Sequence, residues 1–307
     1  REAAHAVNWV PNAAARALAS SRTHIAGAII PTLDNEIFAR QISGLQQVFS
    51  ESGYDLLIGC SNYDPEEGLR QARAMTARGV EAIALVGETH PPELFEIIDD
   101  QHIPYVLTYT FHAGATRPLI GFDNREAFRR VTRHLLDLGH RRFAVVLQPI
   151  ENNDRATARF DGIVAALADA GVSLPADDVL IGPATLDGGM ASFRALMSRE
   201  PARRPTAIVC GNDTLALGAL LAASQMGLTA PDDFSLTGFD DLEMSSRISP
   251  ALTTMSVDNR EIGTLAARQL LKCLEGVIAH PTSVEVPARL VVRRSSGPVP
   301  ENDARRS

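Results

Sequence analysis

Two successive runs of short apolar segments alternating with amphipathic ones constrain this chain more than any other feature. In the first run, Ile25–Ile30, Tyr54–Cys60, Ala82–Val86, Tyr105–Thr108 and Leu119–Phe122 read as buried strands. Helical patterns separate them, such as Glu36–Ser52, where Phe38, Ile42, Leu45 and Phe49 recur at three- and four-residue spacing. Asp64-Pro65-Glu-Glu opens another helix with a capping residue followed by proline. The second run begins at Asn124 with a helix to Leu138 that Gly139 terminates. Strands at Arg142–Val146, Val179–Ile181, Thr206–Cys210 and Phe234–Gly238 then alternate with helices at Asp154–Ala170, Asp187–Met197 and Asp213–Met226. Continuous apolar strands alternating with amphipathic helices mean parallel sheets covered on both faces. The fold class is therefore α/β, with two similar lobes of parallel strands flanked by helices.

Both ends of the chain differ from this body. Leu252–Val257, a helix over Arg260–Leu274 and strands near Val284–Val286 and Leu290–Val292 form a block too small for a third lobe. Its pieces divide between the two lobes. Residues 24–124 with about 258–284 make the N-terminal lobe, and 125–257 with about 285–295 the C-terminal one. Ser295 to Ser307 is polar and aperiodic, so residues 296–307 read as a disordered tail. Residues 1–23 form two short alanine-rich helical stretches joined at Pro11-Asn12 and ending in Ser20-Ser-Arg-Thr23. This is a small tethered module.

The net charge of −8 argues against a body that binds nucleic acid over its surface. The first 24 residues carry Arg1, Arg16 and Arg22 against Glu2, which directs any contact with a polyanion to the N-terminus. No apolar run reaches the length of a membrane span, and no secretory signal is visible. Cys60, Cys210 and Cys273 are far apart in apolar surroundings, which reads as buried free thiols in a reducing compartment, hence a cytoplasmic protein. None of His24, His90, His112 and His140 has spacing that points to a metal, and His140 reads as a turn residue after Gly139. There is no Walker loop, no G-x-G-x-x-G after the first strand, no H-E-x-x-H and no nucleophile elbow. The expectation is a non-enzyme without cofactor or metal.

Gly121-Phe-Asp123-Asn and Gly238-Phe-Asp240-Asp each put carboxylates just beyond a strand, where open α/β sheets bind ligands. Either acid could instead cap the following helix.

Four segments, in order and spacing, resemble the lactose/purine-repressor-type (LacI/GalR) transcription factors. They are Val10-Pro11-Asn12 through Leu18, Gly139-His-Arg-Arg-Phe-Ala-Val145, Cys210-Gly-Asn212-Asp213-Thr-Leu-Ala-Leu-Gly218, and Ser235-Leu-Thr-Gly-Phe-Asp240-Asp with Pro250-Ala-Leu-Thr-Thr254. The resemblance spans nearly the whole chain. It implies a body like the class I periplasmic binding proteins, with a small effector between the lobes, preceded by a hinge helix. It further implies a helix-turn-helix reading head that begins ahead of Arg1, and a homodimer that binds operator DNA. Matched by position, Asn12, Arg16 and Leu18 belong to the DNA-binding hinge, with Leu18 as the minor-groove wedge. Phe38, Asn212 and Asp240 match effector contacts, and either Arg155 or Arg159 matches the family's arginine.

Each assignment has a plainer rival. Phe38 could be core, Asn212 or more simply Asp213 could cap the next helix, and Arg159 could pair with Asp154 or Asp161 on a solvated face. An aspartate, an asparagine, an arginine and one aromatic suit a sugar or sugar acid, whose hydroxyls take planar polar partners. Only Tyr109 and Phe111 offer the second aromatic that a nucleobase needs. The helix Asp213–Met226 is apolar almost all round, so it needs cover on two sides, by its own lobe alone or also by a dimer partner. A regulator repressing through such an effector is the first reading, and a solute-binding protein of a sugar transport system is the alternative.

Overall fold

The computed structural model describes residues 22–300, arranged as two units that each carry a six-stranded sheet. The first unit takes in the chain up to Thr108, then Ala115–Ile120 and Asn259–Val284. The second takes in Tyr109–Gly114, Gly121–Asp258 and the chain from Glu285 onward. The chain thus passes between units several times. Within the segment 109–124, which the sequence pattern gives to one lobe, Tyr109–Gly114 and the residues from Gly121 belong to the second unit.

The first sheet contains β1 (Ile25–Ile30), β2 (Asp55–Cys60), β3 (Ala82–Val86), β4 (Tyr105–Thr108), β5 (Leu119–Gly121) and, from the far end of the chain, β11 (Val284–Glu285). Their spatial order is β11-β5-β4-β3-β1-β2. β1 runs parallel to both neighbours, with Ala26 opposite Leu56 on one side and Ala82 on the other. Around the sheet lie helices α1 (Glu36–Glu51), α2 (Pro65–Ala77), α3 (Pro92–Asp100) and α9 (Asn259–Leu274). The second unit repeats the plan with β6 (Phe143–Leu147), β7 (Val179–Ile181), β8 (Ala207–Cys210), β9 (Ser235–Asp240), β10 (Thr253–Ser256) and β12 (Arg289–Val291). The order is β12-β10-β9-β8-β6-β7. β12 lies antiparallel on the edge, with Leu290 opposite Met255. Its helices are α4 (Asn124–Asp137), α5 (Asp154–Asp169), α6 (Leu186–Met197), α7 (Asp213–Gln225) and the short α8 (Glu243–Arg247).

Helix starts follow local chemistry. Asn35, Asp64, Asp123, Asn153, Thr185 and Asn212 each accept from a backbone N–H in the first turn, satisfying a donor the helix leaves unpaired. α3 and α8 are not announced by periodicity. α3 is nine residues long and opens on two prolines that read as a breaker, and α8 is barely more than one turn.

Helices pair closely where a glycine removes a side chain. A Cβ on Gly44 of α1 would lie 2.2 Å from the Arg260 carbonyl of α9, and one on Gly263 of α9 2.1 Å from that of Gln41. In the second unit a Cβ on Gly162 of α5 would sit 2.1 Å from the Arg125 carbonyl of α4. Gly189 and Gly218 likewise bring α6 and α7 together, each facing a carbonyl of the other helix at 2.2 Å. α7 is therefore covered by α6 on one side and by its own sheet on another, with Leu215, Ala216, Ala219, Ala222 and Ala223 in one apolar cluster. Among its large apolar side chains only Leu221 is well exposed. Its all-round apolar character is explained inside one unit and needs no partner chain.

The structure corrects three local expectations. His140 is no turn residue. It is fully buried, with Nδ1 at 3.0 Å from Thr206 Oγ1, and Nε2 at 3.0 Å from Ser235 Oγ and 3.1 Å from the Gly297 carbonyl. The tail expected to be disordered from Ser295 is tied down at its start. Ser295 is buried and bridges Leu236 and Thr253, Gly297 N donates to Ser235 Oγ, and Val299 N donates to the Leu138 carbonyl. Of the three free cysteines only Cys210 is buried, Cys60 and Cys273 being half-exposed. The hinge residues Asn12, Arg16 and Leu18 lie outside the described residues.

Candidate functional site

In the second sheet, β6 continues to β7 on one side, while β8 and β9 build out on the other. At such a switch the connections leave in opposite directions and open a crevice at the carboxyl ends of the strands. Three of the sequence-derived residues fall there. Arg159 is on α5, which follows β6; Asn212 follows β8 by two residues; Asp240 is the last residue of β9. All three are about 95% buried.

Arg159 is held from several sides. Its Nε donates to Asn124 Oδ1 at 2.9 Å and its Nη1 to the Gly211 carbonyl at 2.9 Å. Asn124 in turn donates to the Tyr109 carbonyl at 2.8 Å. The guanidinium lies over the Phe239 ring, Cζ to centroid 4.1 Å, and Phe239 stacks on Phe128 at 5.2 Å. A buried cation is tolerable only with such partners. Arg159 therefore does not lie on a solvated helix face. Arg155 bonds Asp154, Nη1 to Oδ1 2.8 Å. Arg155 is buried as well, so burial alone does not separate the two arginines. They differ in connection: Arg159 reaches Gly211, beside Asn212, and Phe239, beside Asp240.

Asn212 is a helix cap, its Oδ1 accepting from Leu215 N at 2.9 Å. The same side chain keeps its NH2 as a donor, so capping and ligand contact are compatible. Asp213 is not the cap. Its carboxylate is fully buried one residue into α7, and burial pushes its pKa up to about 6. The two look-alike carboxylate motifs separate cleanly. Asp123 caps α4 by accepting from Glu126 N at 2.9 Å. Asp240 caps nothing, since the next helix begins after Leu242; it adopts φ 113°, a conformation that L residues rarely take.

In the first unit Phe38 lies in the first turn of α1, after β1, and is 97% buried. β1 sits at the corresponding switch, between β2 and β3. Nearby on the same helix, Gln41 donates to Thr108 Oγ1 at 2.8 Å, and Thr108 donates to the Leu85 carbonyl. Tyr109 is buried and set edge-on to Phe122.

A cavity of about 1170 Å³ in the first unit lies elsewhere and is lined by Arg22, Glu81, Asp99, Tyr105, Arg117 and His280 among others. Glu81 precedes β3 and Arg117 precedes β5, so the cavity sits at the amino ends of the strands. Its charges serve local structure. Glu81 accepts from Thr23, His24 and Tyr54, and Arg117 stacks on Phe95 at 3.8 Å. Among the described residues no cluster of histidine, cysteine or carboxylate could hold a metal, and no helix is long and apolar enough to cross a membrane.

Residues 132–296 match the periplasmic binding protein-like domain. The HTH-type transcriptional repressor PurR of Klebsiella pneumoniae (strain 342) is 31% identical over 304 residues, covering 98% of this chain and 88% of the repressor. PurR of Escherichia coli O1:K1 is 30% identical with the same coverage. Among solved structures, the transcription regulator GntR from Chromobacterium violaceum superimposes with a TM-score of 0.81 at 31% identity, over 89% of this chain and 99% of that one. A LacI-family regulator from Silicibacter pomeroyi reaches a TM-score of 0.87 at 26% identity, over 96% and 88% of the two chains. These relatives are transcriptional regulators, not enzymes. A duplicated α/β body with its buried charges at the strand ends, matched nearly end to end by repressors, places this chain in the LacI/GalR family of transcriptional regulators.

Proposed function

We propose that this regulator is a repressor controlled by a small polyhydroxylated effector, a sugar or sugar acid. The observation that carries this reading is the convergence of Arg159, Asn212 and Asp240 at the carboxyl ends of three neighbouring strands. Asp240 takes two ligand hydroxyls in bidentate fashion, Asn212 donates its amide, and Arg159, oriented by Asn124 and Gly211, offers its guanidinium. A guanidinium is also what a sugar-acid carboxylate would use. Arg159 is preferred to Arg155 because its neighbours adjoin both other contacts. Phe38 supplies the apolar face for ligand C–H groups; its share rests on the family resemblance.

The same reading makes the protein a cytoplasmic homodimer bound to operator DNA, with Asn12, Arg16 and Leu18 in the hinge and Leu18 as the wedge between base pairs. Since α7 is covered within its own unit, the dimer rests on the family alone. The transport-protein alternative is disfavoured because the repressor match extends over 98% of the chain. Calorimetry with D-glucose, D-ribose, D-gluconate, D-glucuronate, hypoxanthine and guanine tests the effector class. Saturable binding of a sugar or sugar acid that is lost in Asp240→Ala supports it. Binding of a nucleobase alone overturns it.

A further inference from the structure

The turn after β9 is built from backbone conformations that side chains avoid. Asp240 has φ 113° and Asp241 φ 53°. Such a turn persists only where its surroundings over-determine it. The group that does so is one that none of the roles above uses. Asp213 Oδ2 accepts from Leu242 N at 2.9 Å and from Ser245 Oγ at 2.6 Å, while Oδ1 accepts from Thr254 Oγ1 at 2.6 Å. The three donors come from the turn, from α8 and from β10, so one carboxylate ties the turn to two other elements. The strand before the turn is cleared for it: a Cβ on Gly238 would lie 2.2 Å from Asp213 Oδ1. α7 does not need this acid for its start, because Asn212 already caps it.

We infer that Asp213 is the positioning residue of the effector site, its ionised carboxylate holding the Asp240–Leu242 turn so that Asp240 meets the ligand. The inference rests on the reading of Asp240 as a ligand contact. Three donors converge on the carboxylate, and Leu242 N–H can only donate. A protonated carboxyl has a hydrogen of its own to place, so Ser245 or Thr254 must reverse its hydroxyl or a bond is lost. Burial raises the pKa to about 6, within reach of ordinary buffers, and the hydrogen bonds from Ser245, Thr254 and Leu242 oppose that rise. The titratable and charged groups facing it are the Cys210 thiol on β8, itself pushed up by burial, and Asp241 on the turn, which is paired with Arg293 at 2.7 Å.

The test uses the whole protein with Asp213→Asn, which keeps the volume, and Ser245→Ala, which removes one donor and leaves the carboxylate. Hydrogen–deuterium exchange over residues 239–246, corrected for the intrinsic pH dependence of exchange, reads the turn. Titration with D-glucose and D-gluconate reads the site. In wild type, exchange should rise as pH falls through about 6. In Asp213→Asn it should be at least tenfold faster at pH 7.5 and without that pH step, and α9 should exchange as in wild type. Ser245→Ala should give a smaller increase and keeps the test valid if Asp213→Asn does not fold. Affinity for whichever probe binds should fall tenfold or more in Asp213→Asn. Unchanged exchange in both variants overturns the inference, as does faster exchange with unchanged affinity. Faster exchange in a protein that binds neither sugar supports the hold on the turn and counts only against the effector class.

Discussion

The two units share a topology and differ in what they bury. Each has a strand order that switches direction beside its first strand, and each presses a following helix onto a crossing helix through glycine, Gly44 and Gly263 in one, Gly162 in the other. Yet the buried charged side chains among the described residues, Arg155, Arg159, Asp213 and Asp240, all lie in the second unit. Among the described residues of the first unit the buried polar side chains, Gln41, Thr76, Thr108, Asn259 and the Tyr54 phenol, are all uncharged. Burying a charge is costly unless it is paired and hydrogen-bonded. A framework that folds once without such charges does not require them when repeated. Their concentration at the strand ends of one unit is what the proposed effector site rests on, and the shared glycine contacts mark what folding alone demands.

The sharpest way to break this comparison is to attack the shared part. Gly44→Ala and Gly162→Ala each drive a methyl group to about 2 Å from a backbone carbonyl, which no side-chain rotation relieves. Overpacking of this kind costs about 1–3 kcal/mol, and more where backbone must move. Both variants should lose comparable stability in urea titrations. If only one did, the helix pairs would not be equivalent parts of a repeated framework.

Asp240→Ala and Phe38→Ala separate the units by function. Loss of a charge-assisted hydrogen bond amounts to roughly 1.5–3 kcal/mol, so Asp240→Ala should weaken effector binding about 10- to 100-fold or more with the fold intact. Phe38→Ala removes apolar contact and should weaken binding less while costing stability of about 3 kcal/mol, because the ring is buried. Calorimetry with the effector and thermal melts on both variants check the contrast. A larger affinity loss for Phe38→Ala would move the centre of recognition to the first unit.

How far the sequence reveals this division depends on the range of the interactions involved. The strands and most helices are legible because apolar periodicity and capping residues are local. α3 is hidden by its two prolines, and the apolar surface of α7 points equally to a dimer partner or to α6, since only packing shows the glycine contact that brings α6 near. Asp240 and Asn212 are legible from their places beyond strands. The proposed preference for Arg159 over Arg155 is not, because it depends on Gly211, Asn124 and Phe239, each many residues away. His140 and Asp213 are the least legible. A histidine after a glycine and an acid at a helix start both look local, while their partners Gly297 and Thr254 come from the other end of the unit.

Those two residues give the smallest expected effect, a pH dependence confined to one unit. Burial holds His140 below its usual pKa of 6.5, with the nearby His134 and Arg141 adding to the effect. The unfolded chain then takes up a proton that the folded chain refuses, so stability is lost as pH falls through about 6.5. Asp213 runs the other way. Its pKa is raised from 3.8 to about 6, so the folded carboxyl binds a proton before the unfolded one does, and stability is regained as pH falls from about 6 toward 3.8. The shifted groups of the first unit ionise outside this window, Glu67 and Glu81 being lowered and Tyr54, Tyr105 and Cys273 raised. Opposed terms leave a shallow profile, and wild-type melting should drop by no more than about a few degrees between pH 7.5 and 5.5. Asp213→Asn should steepen that drop by removing the compensating term. His140→Gln should flatten it, the His134 pKa, also lowered by burial, keeping part of the drop. Parallel profiles in all three proteins would show that neither group titrates differently on folding, and the chemical contrast between the units would then stop at the buried charges of the strand ends.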